Sequence, residues 1–209
     1  MKSIRIIAFC AAVAAVLVGC ATPSEFVNMW KSPNFAGPTL SNVLVVFASK
    51  EPVYRRAYED AMALQLRAIG IKAVQSYTVL PNDQIDKEAI VKLVKEAGFN
   101  GVIAARLSGV NQQQSYVPGY TTAMPYYGGG WGGWYGGWYG AAYEPGYMVT
   151  TTIARVETQV WQVAPPEPSM IWTGMSETVD PQQTKNVAGE IAGVTIATLQ
   201  KAGVLPKGK

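Results

Sequence analysis

The sequence predicts a single three-layer α/β domain on a mixed five-stranded sheet. Three observations point there. Apolar runs of strand length alternate with stretches of helical periodicity. Each helical stretch ends on a glycine, at Gly70, Gly98 and Gly203. Past residue 148 the pattern changes to two long alternating strands close together. The expected element order is β-α-β-α-β-β-β-α. The expected strand order is 2-1-3-4-5, three parallel strands with an antiparallel extension.

Taken in order, Val43 to Ala48 is a continuous apolar run, as a strand covered on both faces requires. Pro52 to Ile69 reads as a helix with Ala57, Ala61, Leu64 and Ala68 on one stripe and Tyr54, Tyr58 and Met62 beside it. Ile71 to Tyr77 is the second strand. Asn82 or Asp83 caps a second helix that places Ile85, Ala89, Leu93 and Ala97 on one face. Gly101 to Val110 is the third strand. In the fourth, Val149 to Val163, Ala154, Val156, Thr158 and Val160 face one way and Arg155, Glu157 and Gln159 the other. The turn "APPEPS" leads to the fifth strand, Met170 to Val179. Asp180 and Pro181 then read as N-cap and first turn of the last helix, whose face is Thr184, Ala188, Ile191, Thr195 and Leu199.

The N-terminus has a different plan. Lys2 and Arg5 precede an apolar run from Ile6 to Val18, then Gly19 and Cys20, which is the layout of a secretory signal peptide. The run is shorter than the ~20 residues of a membrane span. Leu17-Val18-Gly19-Cys20 resembles the lipobox of bacterial lipoproteins. That resemblance implies cleavage before Cys20, acylation of Cys20 (palmitate among the acyl chains), and anchoring by several chains rather than one marginal one. Ala21, where an Asp would favour inner-membrane retention, implies the outer membrane, with the domain facing the periplasm. The expected organisation is therefore a signal peptide at 1–19, a lipidated N-terminus and tether at 20–41, and the α/β domain at 42–205. Within the tether, Trp30 is expected to fold back over an edge of the core.

Cleavage removes Lys2 and Arg5, so the basic residues fall from 17 to 15 against 14 acidic ones and the net charge from +3 to +1. A basic-patch argument for nucleic acid has no support. The chain has no His, and with Cys10 removed and Cys20 acylated it keeps no free thiol. Zinc sites of the Cys/His kind and Ser-His-Asp or Cys-His catalysis are thereby excluded. No metal or cofactor is expected. No Gly-x-Gly-x-x-Gly follows the first strand, so the glycines do not form a phosphate cradle. Arg55 can pair with Glu59, and Arg56 with Asp60, four residues on, and these pairs are expected to form an ordinary solvated helix face, as are Glu88, Lys92 and Glu96. Arg106, Arg155 and Glu157 are expected to meet as cross-strand charge pairs.

The remaining feature is an insertion at 111–148, read as a long connection between strands 3 and 4. From Tyr116 to Tyr147 it holds eleven aromatic residues, ten glycines and one charge, Glu144. Gly-Gly-Trp-Tyr occurs twice, at 132–135 and 136–139. Glycine makes ordering costly while the rings stay available for contact. The candidate contact residues are Tyr126, Tyr127, Trp131, Trp134, Tyr135, Trp138 and Tyr139. Three partners suit them: the membrane–water interface, an envelope glycan and a protein, a further copy included; a low-complexity insertion without a role is the bland alternative.

With these elements placed, the stretch "NMWKSPNFAGPTLSNVLVVFASKEPVYRRAYEDAMALQLRAIGIKAVQSYTVLP" and the later "IWTGMSETVDP" resemble a family of small, uncharacterised Gram-negative envelope lipoproteins. The fold is similar to the TolB N-terminal type. The shared motifs are structural and imply no catalytic residue. The leading expectation is a non-enzymatic outer-membrane lipoprotein whose periplasmic domain is a binding or envelope-assembly module. The alternatives are a carboxylate-dependent enzyme on an envelope glycan, using Glu157 or Glu177, and a self-associating structural lipoprotein.

Overall fold

A computed structural model describes residues 24–37, 40–80, 87–122, 142–163 and 168–207. The signal peptide, Cys20, the Asn82/Asp83 cap, Ile85 and all seven candidate contact aromatics lie outside the described residues.

The elements are β1 (Ser24–Lys31), β2 (Asn42–Ala48), α1 (Pro52–Ala68), β3 (Lys72–Gln75), a single turn α2 (Ser76–Val79), α3 (Lys87–Glu96), β4 (Gly101–Val117), β5 (Tyr120–Thr122), β6 (Ala142–Glu144), β7 (Tyr147–Gln162), β8 (Ser169–Val179), a 3₁₀ turn (Pro181–Gln183) and α4 (Val187–Lys201). One mixed sheet runs β1-β8-β7-β4-β2-β3, and β5 and β6 pair separately. β2, β3 and β4 are parallel and the other contacts in the large sheet are antiparallel. The fold is thus the expected mixed α/β class, but the sheet has six strands, not five.

The added strand is β1, drawn from the segment read as a tether. It pairs antiparallel with β8 from Ser24↔Thr178 to Lys31↔Trp172. Phe26 lies edge-on against the buried Trp172 ring, with centroids 5.3 Å apart. Ser24 and Thr178 share a buried hydroxyl–hydroxyl hydrogen bond of 2.8 Å. Trp30 is 46% exposed and does not cover the core. Gly174 permits this packing, since a Cβ there would meet Trp172 at 2.5 Å and Phe26 at 2.8 Å. The strand was hidden because an edge strand buries little of one face, so its sequence lacks clean alternation.

The core has two parts. Val43, Val45 and Phe47 of β2 pack with Tyr58, Met62 and Leu66 of α1 and Ile191, Ile196 and Leu199 of α4 on one side of the sheet. Leu44 and Val46 pack with Val94 and Phe99, joined by Ile90 and Leu93, on the other. The continuous apolar run of β2 is the signature of that double coverage. Gly70 ends α1 at φ 84°, a left-handed conformation that glycine adopts without strain.

Several expectations about the helices are corrected. On α1 the expected stripe is wrong: Leu64 is 67% exposed and Ala57 is exposed. The buried face is Arg55, Tyr58, Glu59, Met62, Ala63 and Leu66. The Arg55–Glu59 pair is therefore not solvated, at 3% and 0% side-chain exposure and 3.2 Å apart. Asp60 takes the Tyr77 hydroxyl (2.7 Å) and Gln75 Nε2 (2.8 Å), while Arg56 lies over the Tyr77 ring. Ala97 is exposed rather than on the core face of α3. Asp180 does not cap the last helix. It adopts φ 43°, opens only the 3₁₀ turn, and its carboxylate accepts from Thr152 N at 2.7 Å. The cap of α4 is Asn186, whose Oδ1 accepts from Gly189 N at 2.9 Å.

Glu59 is buried and its carboxylate accepts four hydrogen bonds. Its Oε1 accepts from Phe47 N (3.0 Å), Arg55 Nε (3.2 Å) and Ser76 Oγ (2.7 Å), and its Oε2 from Tyr77 N (3.0 Å). Arg55 Nη2 donates to Ser76 Oγ at 3.0 Å. Glu59→Ala leaves Arg55 buried without its anion and should cost about 3–5 kcal/mol of stability. Urea unfolding followed by circular dichroism checks this; a loss below ~1 kcal/mol, the worth of an exposed pair, would contradict the buried role.

Candidate functional site

The insertion at 111–148 is not one long loop. β4 continues to Val117 and β7 begins at Tyr147, and the two pair without interruption from Asn111↔Ile153 to Val117↔Tyr147. Beyond them Tyr120–Thr122 pairs with Ala142–Glu144. The sheet does not follow: β2 stays with β4 only as far as Ala48↔Arg106, and β8 with β7 only from Ile153↔Val179. The result is a two-stranded arm, projecting about 23 Å between Val110 and Val117 at ~3.3 Å per residue. It leads to the residues named above as candidate contacts. Tyr116, Tyr147 and Met148 on it are exposed.

Two local devices set the arm's base. A β-bulge between Leu107 and Gly109 shifts the register, so Leu107 opposes Val156 and Val110 opposes Ala154, both buried residues of the helix-covered face. Leu107 and Val110 thereby lie on the same face although three residues apart. At the other edge Asp180 ends the pairing of β8: its N–H donates to Thr152 O at 2.7 Å while its carboxylate takes Thr152 N–H.

Beside this base is a cleft of about 390 Å³. Phe47, Tyr54, Tyr58, Leu107, Val156 and Ile191 are among its walls, and none of its lining residues is charged. It lies past the carboxyl ends of β2 and the parallel part of β4, on the face covered by α1 and α4. Ligands of open α/β sheets bind at such places. The Tyr58 phenol is buried there, and burial pushes its pKa up strongly, with Thr158 and Thr195 partly opposing. Its hydroxyl is buried beside Thr158 and Thr195, which do not line the cleft, and it is the uncharged, mostly apolar lining that suits an uncharged or apolar group. Sequence reasoning missed this cleft; its only signal was the two apolar residues, Leu107 and Val110, near the end of the expected third strand.

The opposite sheet face carries the charge pairs expected from the sequence, in a more specific arrangement. Arg106 Nη2 lies 2.7 Å from Glu157 Oε2, and Arg155 Nε 2.7 Å from Glu177 Oε1. Arg106 and Arg155 thus take different carboxylates, and no trio forms. Hydrogen bonds from Arg106, then Gln159, hold the Glu157 carboxyl below its ordinary range against a smaller effect of burial. A carboxylate held ionised in this way is a poor general acid. Because its folded pKa is depressed, Glu157 contributes stability above the ordinary carboxylate value, and loses it as the pH falls through the folded value. The contribution is small, since Arg106 is 64% exposed. Glu157→Gln should lower stability slightly at neutral pH and converge with the parent in acid, so the stability–pH profile flattens between about pH 3 and 7, the range of carboxylate titration; unfolding midpoints across that range measure this.

No protein-family model and no curated protein matches the chain. Solved structures resemble it at low identity. A variant PelC dodecamer from Paraburkholderia phytofirmans is 14% identical, over 85% of this chain and 98% of that one, with a TM-score of 0.43. A second PelC dodecamer structure from the same organism is 12% identical over 85% and 97%, also at 0.43. The lipoprotein GNA1162 from Neisseria meningitidis is 11% identical over 77% and 99%, with a TM-score of 0.42. The likeness to an oligomeric protein and to a lipoprotein is weak, and it transfers no site residue and no activity.

Proposed function

We propose that this chain is a lipid-anchored envelope protein of the outer membrane, facing the periplasm. Its α/β domain acts as a non-enzymatic binding or assembly module that presents the aromatic-glycine segment at the end of an arm. The single observation that carries the reading is the direction of the arm relative to the anchor. Ser24 lies opposite Thr178, Thr178 opposite Ala154, and Ala154 opposite Val110, so these four residues form one row across the sheet. β4 leaves that row outward as the arm. β1 enters it from the same end, with Cys20 only four residues before Ser24.

Four residues reach at most ~14 Å. The described arm already extends about 23 Å past the row at ~3.3 Å per residue. An anchor at Cys20 therefore sets the arm toward the membrane that holds it, and the Trp and Tyr side chains beyond it suit the headgroup region. The apolar cleft lies at the same end, at the foot of the arm.

Two measurements test this. Cys20→Ser should abolish acylation and release the protein from the membrane fraction. A chain beginning at Ala21, lacking acyl groups, should still bind phospholipid vesicles, and deleting 126–140 should weaken that binding by at least about tenfold while the circular dichroism spectrum is kept. Equal vesicle binding with and without 126–140 would reject the membrane-directed role, and the same comparison with peptidoglycan fragments would then test a glycan ligand.

A further inference from the structure

The arm has two strand edges that the domain leaves open. Among the described residues no strand pairs with β4 from Leu107 to Val117 on the side that β2 occupies lower down, nor with β7 from Tyr147 to Thr151 on the side of β8. Backbone N–H and C=O groups along an open edge are a template for another strand. Proteins usually block such edges with charged residues, proline, bulges or short length. Here "LSGVNQQQSYV" (107–117) and "YMVTTT" (147–152) contain no charged residue and no proline. The one bulge lies at the base of the arm, where it does not protect the outer part. A two-stranded ribbon standing alone in water is at best marginally stable, so pairing at its edges would stabilise the arm itself.

We propose that copies of this chain assemble through these edges, β4 of one arm against β7 of the next. The strand directions fit a second copy. β4 runs outward and β7 returns, so two arms side by side and pointing the same way bring an outgoing edge against an incoming one. That contact is antiparallel, as inside each arm, and the sheet continues from copy to copy. Gln112, Gln113 and Gln114 stand opposite Thr152, Thr151 and Thr150 within one arm. Repetition brings these uncharged hydrogen-bonding side chains into rows without like-charge repulsion. The two edges are different surfaces, so the contact is head-to-tail and closes into a ring when the rotation per copy allows. The common direction of the arms, and that alone, rests on the membrane-anchored reading given above.

The test uses the full acylated chain extracted in mild detergent, with mass measured by light scattering. The intact protein should form one discrete species of several copies. A variant joining Gln112 to Thr152 through Asn-Gly lacks the outer arm and should be monomeric with an unchanged circular dichroism spectrum. Should that variant fail to fold, Gln112→Lys with Gln114→Lys charges the edge strand instead and should raise the dissociation constant at least about tenfold. Deleting only 126–140 should leave the assembly intact even though the same deletion weakens vesicle binding of the acyl-free chain, which separates this proposal from the previous one. A monomeric intact protein overturns the proposal. So does an armless variant that keeps the parent mass, or a 126–140 deletion that becomes monomeric.

Discussion

The buried Glu59 carboxylate is the constraint on which the rest of the architecture depends. β3 accompanies β2 only to Val45↔Gln75, so the last residues of β2 lose a strand on that side. Glu59 replaces it, accepting the Phe47 N–H, and its second oxygen accepts the Tyr77 N–H at the start of the next turn. One side chain on α1 thus ties the end of β2 to the chain that leaves β3. A buried anion is tolerated only when its hydrogen-bonding capacity is filled and a cation lies close. Arg55 and Ser76 meet those conditions.

Fixing that corner of the sheet has consequences away from Glu59. Phe47, whose N–H the carboxylate holds, stacks on Tyr58 at 4.7 Å, and both are walls of the apolar cleft. The parallel half of the sheet is held by helices on both faces and stays short. The antiparallel half is free to outgrow it: β4 and β7 are the longest strands, and only their lower portions are flanked. The bulge near Leu107 and the Asp180 cap on Thr152 mark the boundary between sheet and arm. The cleft, the arm and the N-terminal end of β1 consequently share one end of the domain. That convergence, rather than any catalytic constellation, carries the functional reading.

The two carboxylates that an enzymatic reading would use are each committed to an arginine. Glu157 belongs to Arg106 and Glu177 to Arg155. Their positions on the half-open sheet face match the ordinary behaviour of antiparallel sheets, which solvate one side. The uncharged run along the arm departs from ordinary behaviour. A chain with 31 charged residues among 209 places none from Leu107 to Tyr143. A solvated ribbon without a partner would have little reason to exclude charge so completely.

The sequence by itself determined the class of fold, the positions of the central strands and the ends of the helices, because those depend on local physics. The apolar run of β2, the alternation of β7 and the positive-φ glycines at 70, 98 and 203 are read within a few residues of chain. It also determined the uncharged composition of the arm; the expectation of export and acylation at Cys20 rests on sequence alone. Only the tertiary structure decided which face of α1 is inside, because burying Arg55 and Glu59 requires Ser76, Tyr77 and the end of β2, and no helical period reveals partners that distant. Only it turned Ser24–Lys31 from tether into strand, since an edge strand takes its order from the neighbour it pairs with. And only it made the 111–148 insertion into an arm. Strand pairing across so long an interval is a property of two segments together, and neither the Gln-rich nor the Thr-rich segment announces its partner on its own.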